Sequence, residues 1–405
     1  MEQLLPMSLK QLSKLDIIRR VERRELSQVD AAKMLKVTDR TVRNYLQRLE
    51  EEGPGFLSHG LKGQVSNNRT PLKVEERIGK LLQKKYVDFG PTFAGEKLRE
   101  IHKLDYDPKT VARIQKSLGI YVASRKTKKV THRSYRVRRA IYGDLVQFDG
   151  SYHDWLEGRG GIDELCLLLA VDDATGKIVH AWFAKHEGVL PVMGFWLQYA
   201  GIAGLPKQIY LDRFSTYSMN MKLAKENPDT LTQFERAAQD TGVEVVHAYS
   251  SQAKGRVENK FGTLQDRLVK ELRLAGICTV EAANRFLQDF FIEDFNRRFA
   301  VEARVKGDLH RIPSKTELHD VLPYIFCRHK TRIIQNDFTI SYGAVWYQLL
   351  STPRLAMRPK DVVDVHEHPD ESISLLVRGK HANFLPLPEK PRQRTRSKHA
   401  QTLAN

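Results

Sequence analysis

Three acids in the middle of the chain stand where a plain solvated carboxylate has little reason to be. Asp149 ends the apolar run of LVQFDGS, and Asp212 ends that of IYLD. Glu258 lies within SSQAKGRVENKFGTLQDRL, residues 250–268. In that stretch Val257, Phe261, Leu264 and Leu268 recur at i, i+4, i+7 and i+11, the buried stripe of an amphipathic helix, with Glu258 at its border. The neighbours of Glu258 at −3, +4 and +7 are Gly255, Gly262 and Gln265. A glycine inside a helix costs roughly 1 kcal/mol relative to alanine, so two beside one acid call for a reason. A surface ion pair with Lys254, four residues earlier, is the plain alternative. The chemical reading is an acid that needs open space for a cation and a bulky anionic ligand. Three converging carboxylates repel one another at neutral pH, and hard oxygen donors select Mg²⁺ or Mn²⁺. Two such ions about 3.5–4 Å apart activate a water or a 3′-hydroxyl and stabilise the leaving oxygen in phosphodiester cleavage.

The acids lie 63 and 46 positions apart, so the elements carrying them must be brought together by the fold. From Gly143 the pattern reads as three strands (DLVQFDGS, then ELCLLLAV and KIVHAWFA joined at DDATGK). An apolar helix VLPVMGFWLQYAGIAG, a strand PKQIYLD, a helix LTQFERAAQDTG, a strand VEVVHAYS and the Glu258 helix follow. That order predicts a mixed α/β domain over residues 143–300, closed by the helix TVEAANRFLQDFFIEDFNRRF. The two strand-end acids and the helix-face acid converge if their strands are neighbours. Asp144, Asp154, Asp163, Asp172 and Asp173 compete for the first position; Asp172 and Asp173 read as turn residues before ATGK. His153 and Trp155 lie near Asp149, the tryptophan as a core residue.

The flanking segments point to nucleic acid. Residues 1–142 hold 32 Lys and Arg against 16 Asp and Glu, whereas the remainder holds 34 against 33. So uneven an excess reads as a nucleic-acid-binding front joined to a different back. Residues 8–53 predict a helix-turn-helix, with a short helix capped by Ser27, a turn at Lys36–Val37 and a second helix capped by Thr38. Arg40, Arg43 and Asn44 then occupy the end of a recognition helix that faces the major groove. Residues 70–120 repeat the pattern as a second helix-turn-helix or winged-helix-like unit, with Thr110, Arg113 and Lys116 available to DNA. The connector 121–142 is strongly basic; Arg125, Lys126, Lys128, Lys129 and Arg133 suit phosphate. Strand-like pieces return over 325–388, the size of a small β-barrel, before a basic tail, 389–405, that reads as disordered. HEH at 366–368 has no third ligand nearby in sequence and reads as surface. The three cysteines have no CxxC pairing, the longest apolar run is far too short to span a membrane, and no secretory signal is visible. A reducing, cytoplasmic setting is expected.

The order QFDGS, YLDRFST, SSQAKGRVENKFGTLQDRL resembles the DDE core of retroviral-integrase-like transposases. It is most similar to bacterial insertion-sequence transposases of the ISNCY group, over nearly the whole chain. The resemblance implies a multidomain chain: tandem all-α helix-turn-helix modules, a central α/β RNase H-like mixed sheet and a small C-terminal β-barrel. It implies Asp149, Asp212 and Glu258 as the catalytic, metal-binding triad with two Mg²⁺ or Mn²⁺ ions. The implied partners are the element's terminal inverted repeats and target DNA, with a homo-oligomer assembled on them and no membrane. Two departures stand out. The 46-position step is longer than in retroviral integrases, and the lysines one and two turns after the glutamate are Gly262 and Gln265. Lys254, Arg256 or Lys260 would take over that DNA contact. A sequence-specific DNA-binding regulator with a catalytically inactive core, and a nuclease that cuts without joining, are the rival functions.

Overall fold

The computed structural model describes residues 7–57, 69–120, 137–212, 227–248, 255–353 and 355–389. The chain divides into two compact units, Met1–Lys126 and Thr127–Asn405.

In the first unit, helices α1 (Leu9–Glu22), α2 (Gln28–Leu35) and α3 (Asp39–Glu52) form the first module. Ser27 and Thr38 cap α2 and α3 as expected, each accepting from a backbone N–H three residues on. Lys36 takes a left-handed conformation (φ 54°) that turns the chain between them. Ile18, Val21, Ala31 and Val42 are buried in the angle the helices enclose. Helices α4 (Leu72–Lys85), α5 (Pro91–His102) and α6 (Pro108–Ser117) form the second module, with Asp107 capping α6. Its core is aromatic: Tyr86, Phe89 and Phe93 pack with Ile78, Leu82, Leu98, Val111 and Ile114. The buried Gln115 donates to the Phe89 carbonyl (2.9 Å) and ties α6 to the turn before α5. No strand occurs among the described residues of this module.

The second unit opens with strands β1 (Val146–His153), β2 (Leu165–Asp172) and β3 (Ile178–Ala184). Helix α7 (Val189–Ala203), strand β4 (Gln208–Asp212), helix α8 (Asn227–Thr241), strand β5 (Glu244–Ala248) and helix α9 (Gly255–Leu274) follow. The sheet order is β3-β2-β1-β4-β5; β1–β3 form an antiparallel meander, and β4 and β5 run parallel to β1. That topology is the RNase H-like fold. Every residue of β2 is buried because both faces are covered. Cys166, Leu168 and Ala170 meet α7 and α8, while Leu165, Leu167, Leu169 and Val171 meet α9.

Helix α10 (Val280–Phe286), a π-helical turn (Leu287–Phe291) and helix α11 (Ile292–Phe299) form one continuous rod along β3, the edge of the sheet. Its side-chain amides replace a missing strand. Asn284 accepts from the Phe183 N–H (2.7 Å) and donates to its carbonyl (3.0 Å). Asn296 does the same for Ile178 (2.8 Å each), and Gln288 donates to the Ala181 carbonyl (2.7 Å). An open sheet edge invites pairing with another chain, and these amides close it.

After a second π-helical turn (Glu317–Val321) and helix α12 (Leu322–Ile325) come β6 (Arg328–Ile333), β7 (Thr339–Tyr342), β8 (Val345–Leu350) and β9 (Val362–Glu367). Strands β10 (Ile373–Val377), β11 (Lys380–His381) and β12 (Asn383–Leu387) complete the chain's described part. The barrel expected here takes the form of two antiparallel sheets, β11-β10-β9-β6 and β12-β8-β7. Among the described residues no strand pairing closes them into one cylinder; they enclose a core of Ile340, Leu349, Val363, Val365, Leu375 and Val377. Arg236 of α8 docks this part onto the α/β core by donating to the Ile325 and Cys327 carbonyls (2.8 Å each).

Candidate active site and nucleic-acid interface

Asp149 is half-buried at the middle of β1, paired with Leu169 of β2. On the other side β1 pairs in parallel with β4, Val146 with Ile209 and Gln147 with Tyr210. Continued two residues, that register sets the Asp149 backbone beside Asp212, the last residue of β4. The side chain of Asp212, like residues 213–226, lies outside the described residues.

Helix α9 crosses the same face of β1. Near its start the Val257 N–H donates to Gln147 Oε1 (3.2 Å); two turns later Gln265 Nε2 donates to Ser151 Oγ (3.3 Å). Side chains two apart on a strand share a face, so Asp149 lies between these two ties, opposite the segment carrying Glu258 and Gly262. Glu258 is exposed at that border, while Val257, Phe261, Leu264 and Leu268 are buried as their spacing predicts. Among the described residues a Cβ built on the exposed Gly262, one turn after Glu258, meets nothing within 4 Å. Gly150, next to Asp149, has the opposite role: a Cβ there would come within 2.6 Å of Glu187 Oε2 and 3.0 Å of Cys166 Sγ. Burial, then the charges of Glu187 and Asp149, push the Cys166 thiol well above its ordinary range, so it stays protonated.

A second acid, read from sequence as a turn residue, proves central. Asp173 is fully buried; its carboxylate accepts from Gln147 Nε2 (2.8 Å) and the Arg139 N–H (2.9 Å) and pairs with Arg256. Gln147 and Asp173 therefore grip the first turn of α9 from below, through Val257 and Arg256. Neighbouring Asp172, also buried, accepts from the Gly143 N–H and from Thr175; burial raises its pKa. Asp172 and Asp173 do form the turn before ATGK, but as buried anchors. The sequence signal for this was the pair of acids ending an unbroken apolar run.

The three basic residues expected to contact DNA beside Glu258 have different fates. Arg256 is engaged by Asp173. Lys260 is half-buried with Nζ 4.8 Å above the Phe295 ring; burial, then Arg138, lowers it to about 8. Lys254 lies outside the described residues, as do Arg125, Lys126, Lys128, Lys129 and Arg133 of the basic connector. Trp155 is fully buried in the core against Phe183, and His153 packs on its edge.

In the first unit Arg40, Arg43 and Asn44 are exposed at the start of α3, with Arg43 held on Asp39 (2.8 Å). On α6 Lys116 is exposed, Thr110 is half-buried, and Arg113 pairs with Glu75 (2.7 Å). Exposed pairs of this kind contribute at most about 1 kcal/mol and can exchange for phosphate.

Residues 13–64 match the model of a helix-turn-helix domain family. The chain is 37% identical over 339 residues to y4bF of Sinorhizobium fredii, assigned as a transposase, covering 84% of this chain and 72% of that one. It is 27% identical over 305 residues to the transposase for insertion sequence IS1202 of Streptococcus pneumoniae, covering 67% of this chain and 64% of the relative's length. Among solved structures, a chain of the simian T-cell lymphotropic virus intasome in complex with PP2A regulatory subunit B56 gamma aligns with TM-score 0.34 and 15% identity. That alignment covers 77% of this chain and all (100%) of that one. The HTLV-2 integrase catalytic core domain in complex with magnesium aligns with TM-score 0.28 and 17% identity, over 38% of this chain and 92% of that one.

Proposed function

Since the chain belongs to the transposase family, we propose that it binds the terminal inverted repeats of a mobile element through its two helix-turn-helix modules and cuts and joins DNA strands at Asp149, Asp212 and Glu258. The observation that supports this reading best is the β1–β4 register, which, continued two residues, brings the Asp149 backbone beside that of Asp212, with the Val257–Gln147 bond holding the start of α9 over β1. An all-oxygen donor set with open volume beside it fits a hard divalent ion, Mg²⁺ or Mn²⁺, better than a soft one. When bound, two such ions supply an activated water or 3′-hydroxyl and charge stabilisation of the leaving oxygen.

The chain's own residues do the rest. Asp149, Asp212 and Glu258 hold the cations; Gln147 and Asp173 fix the start of α9; Arg40, Asn44 and Lys116 meet DNA, with Arg43 and Arg113 free to trade their carboxylate partners for phosphate. Joining two element ends to a target needs at least two cores, and each chain has one, so the working form is a homo-oligomer on DNA.

The test is cleavage and strand transfer on a fragment carrying the element's ends. Asp149→Asn, Asp212→Asn and Glu258→Gln should each abolish both reactions while leaving end binding and thermal stability unchanged. Near-wild-type cleavage by any one variant removes that residue from the site. A wild-type protein that binds ends in Mg²⁺ and Mn²⁺ without cutting would instead be a regulator.

A further inference from the structure

A cysteine and several histidines meet where the C-terminal sheets join the α/β core. Cys327 immediately precedes β6, and His329, two residues on, shares its face. Across the β6–β9 pair His329 is the partner of His366. One ligand atom from each of Cys327, His329 and His366 lies within 4.8 Å of the others. Cys327 and His366 are buried, and the His366 Nδ1 is buried with no hydrogen-bond partner. The Cys327 thiol and His329 Nε2 both point at one oxygen, the Tyr324 carbonyl, at 3.1 and 2.8 Å. A neutral imidazole keeps one ring lone pair that a metal ion can take.

We propose that Cys327, His329 and His366 bind a structural transition-metal ion of the zinc class, which clamps the C-terminal sheets to the core. One thiolate and two imidazoles select a borderline-soft ion and not the hard ions suited to carboxylates. Around zinc such ligand atoms lie roughly 3.3–3.7 Å apart, so the cluster closes by about 1 Å. The His329 and His366 rings, now stacked at 3.9 Å and 6°, must turn so that both lone pairs aim at one point. The two hydrogens now shared with the Tyr324 carbonyl mark that point, and this oxygen is the fourth donor. On binding, both hydrogens shared with the Tyr324 carbonyl leave: Cys327 releases its proton to solvent, and His329 gives up the proton on Nε2 and takes one from solvent on Nδ1, so it stays neutral with its lone pair on Nε2. His368 is not the fourth ligand: its nitrogens are engaged by the Pro323 carbonyl (3.2 Å) and Ser374 Oγ (2.8 Å). Arg236 adds positive charge beside the cluster, offset by its ion pair with Asp240 (3.0 Å).

The experiment uses the full-length Asp149→Asn protein, which weakens the carboxylate site, purified with zinc and freed of excess by gel filtration. Elemental analysis should find one zinc per chain. Replacement by Co²⁺ should give a near-ultraviolet thiolate-to-cobalt charge-transfer band, lost in Cys327→Ser and kept in Cys278→Ser. Should Cys327→Ser not fold, protection of one thiol from alkylation by zinc, reversed by chelator and mapped to Cys327, reads the same ligand. Absence of both zinc and the cobalt band overturns the proposal. A band that survives Cys327→Ser, or protection that maps to another cysteine, overturns it equally.

Discussion

Gln147→Leu tests how the glutamate of α9 is held. Gln147 is fully buried, accepts the Val257 N–H at 3.2 Å and donates to Asp173 at 2.8 Å. Leucine roughly keeps the volume and removes both bonds. An unsatisfied buried N–H costs about 1–3 kcal/mol and a hydrogen bond to a charged group is worth about 1.5–3, so a rigid structure would lose about 2.5–6 kcal/mol. A cheaper response exists. Val257 is in the first turn of α9, whose N–H groups have no intrahelical partner. If the backbone of that turn shifts only enough to admit water to the Val257 N–H, with the Val257 side chain and the Arg256–Asp173 pair kept, the Asp173 bond alone is lost, about 1.5–3 kcal/mol. Glu258 is in the same turn, so the cheaper response moves it. The expected result is a modest fall in the unfolding midpoint, unchanged end binding, and single-turnover cleavage reduced about 100-fold or more, near 2.7 kcal/mol of barrier. Val192→Ala, in the core on the opposite face of the sheet, is the stability control: comparable destabilisation should leave cleavage largely intact. Cleavage by Gln147→Leu within about threefold of wild type, at a measured loss of stability, would refute the positioning role.

Two other expectations follow from buried polar groups. Burial lowers His180 to about 4, so as pH falls the unfolded chain, titrating near 6.5, takes the proton first; stability present above pH 6.5 is lost towards pH 4, by about 3 kcal/mol. His180→Phe should flatten that part of the urea-midpoint profile between pH 7 and 4.5, and an unchanged profile would acquit His180. Asn284→Leu removes both amide bonds to Phe183 and should cost about 2–4 kcal/mol while opening the β3 edge. Light scattering during thermal melting should then show aggregation at lower temperature, whereas a wild-type midpoint would mean the rod alone covers the edge.

Periodicity in the sequence reveals which side chains are apolar and where elements end, and those features were legible. ELCLLLAV reads as a strand and Ser27 and Thr38 as caps, and the convergence of Asp149 and Asp212 was conditional on neighbouring strands, which β1 and β4 are. Periodicity does not reveal which distant polar group satisfies another. Asp173 looked like a turn residue because its partners Gln147 and Arg256 lie 26 and 83 positions away. His366 looked like surface because His329 is on another strand and Cys327 just before it. Arg256 and Lys260 looked ready for phosphate because the sequence does not show Asp173 or Phe295 beside them. The glycines show the same limit most clearly. Gly150 and Gly262 are alike as letters, yet a Cβ on Gly150 would crowd Glu187 Oε2 and Cys166 Sγ, whereas one on Gly262 meets nothing within 4 Å among the described residues. Packing thus explains the first and leaves the second unexplained. Among the described residues no close neighbour requires Gly262, and the cost it adds beside Glu258 accords with the proposed site, where a cation and DNA would enter from outside the chain.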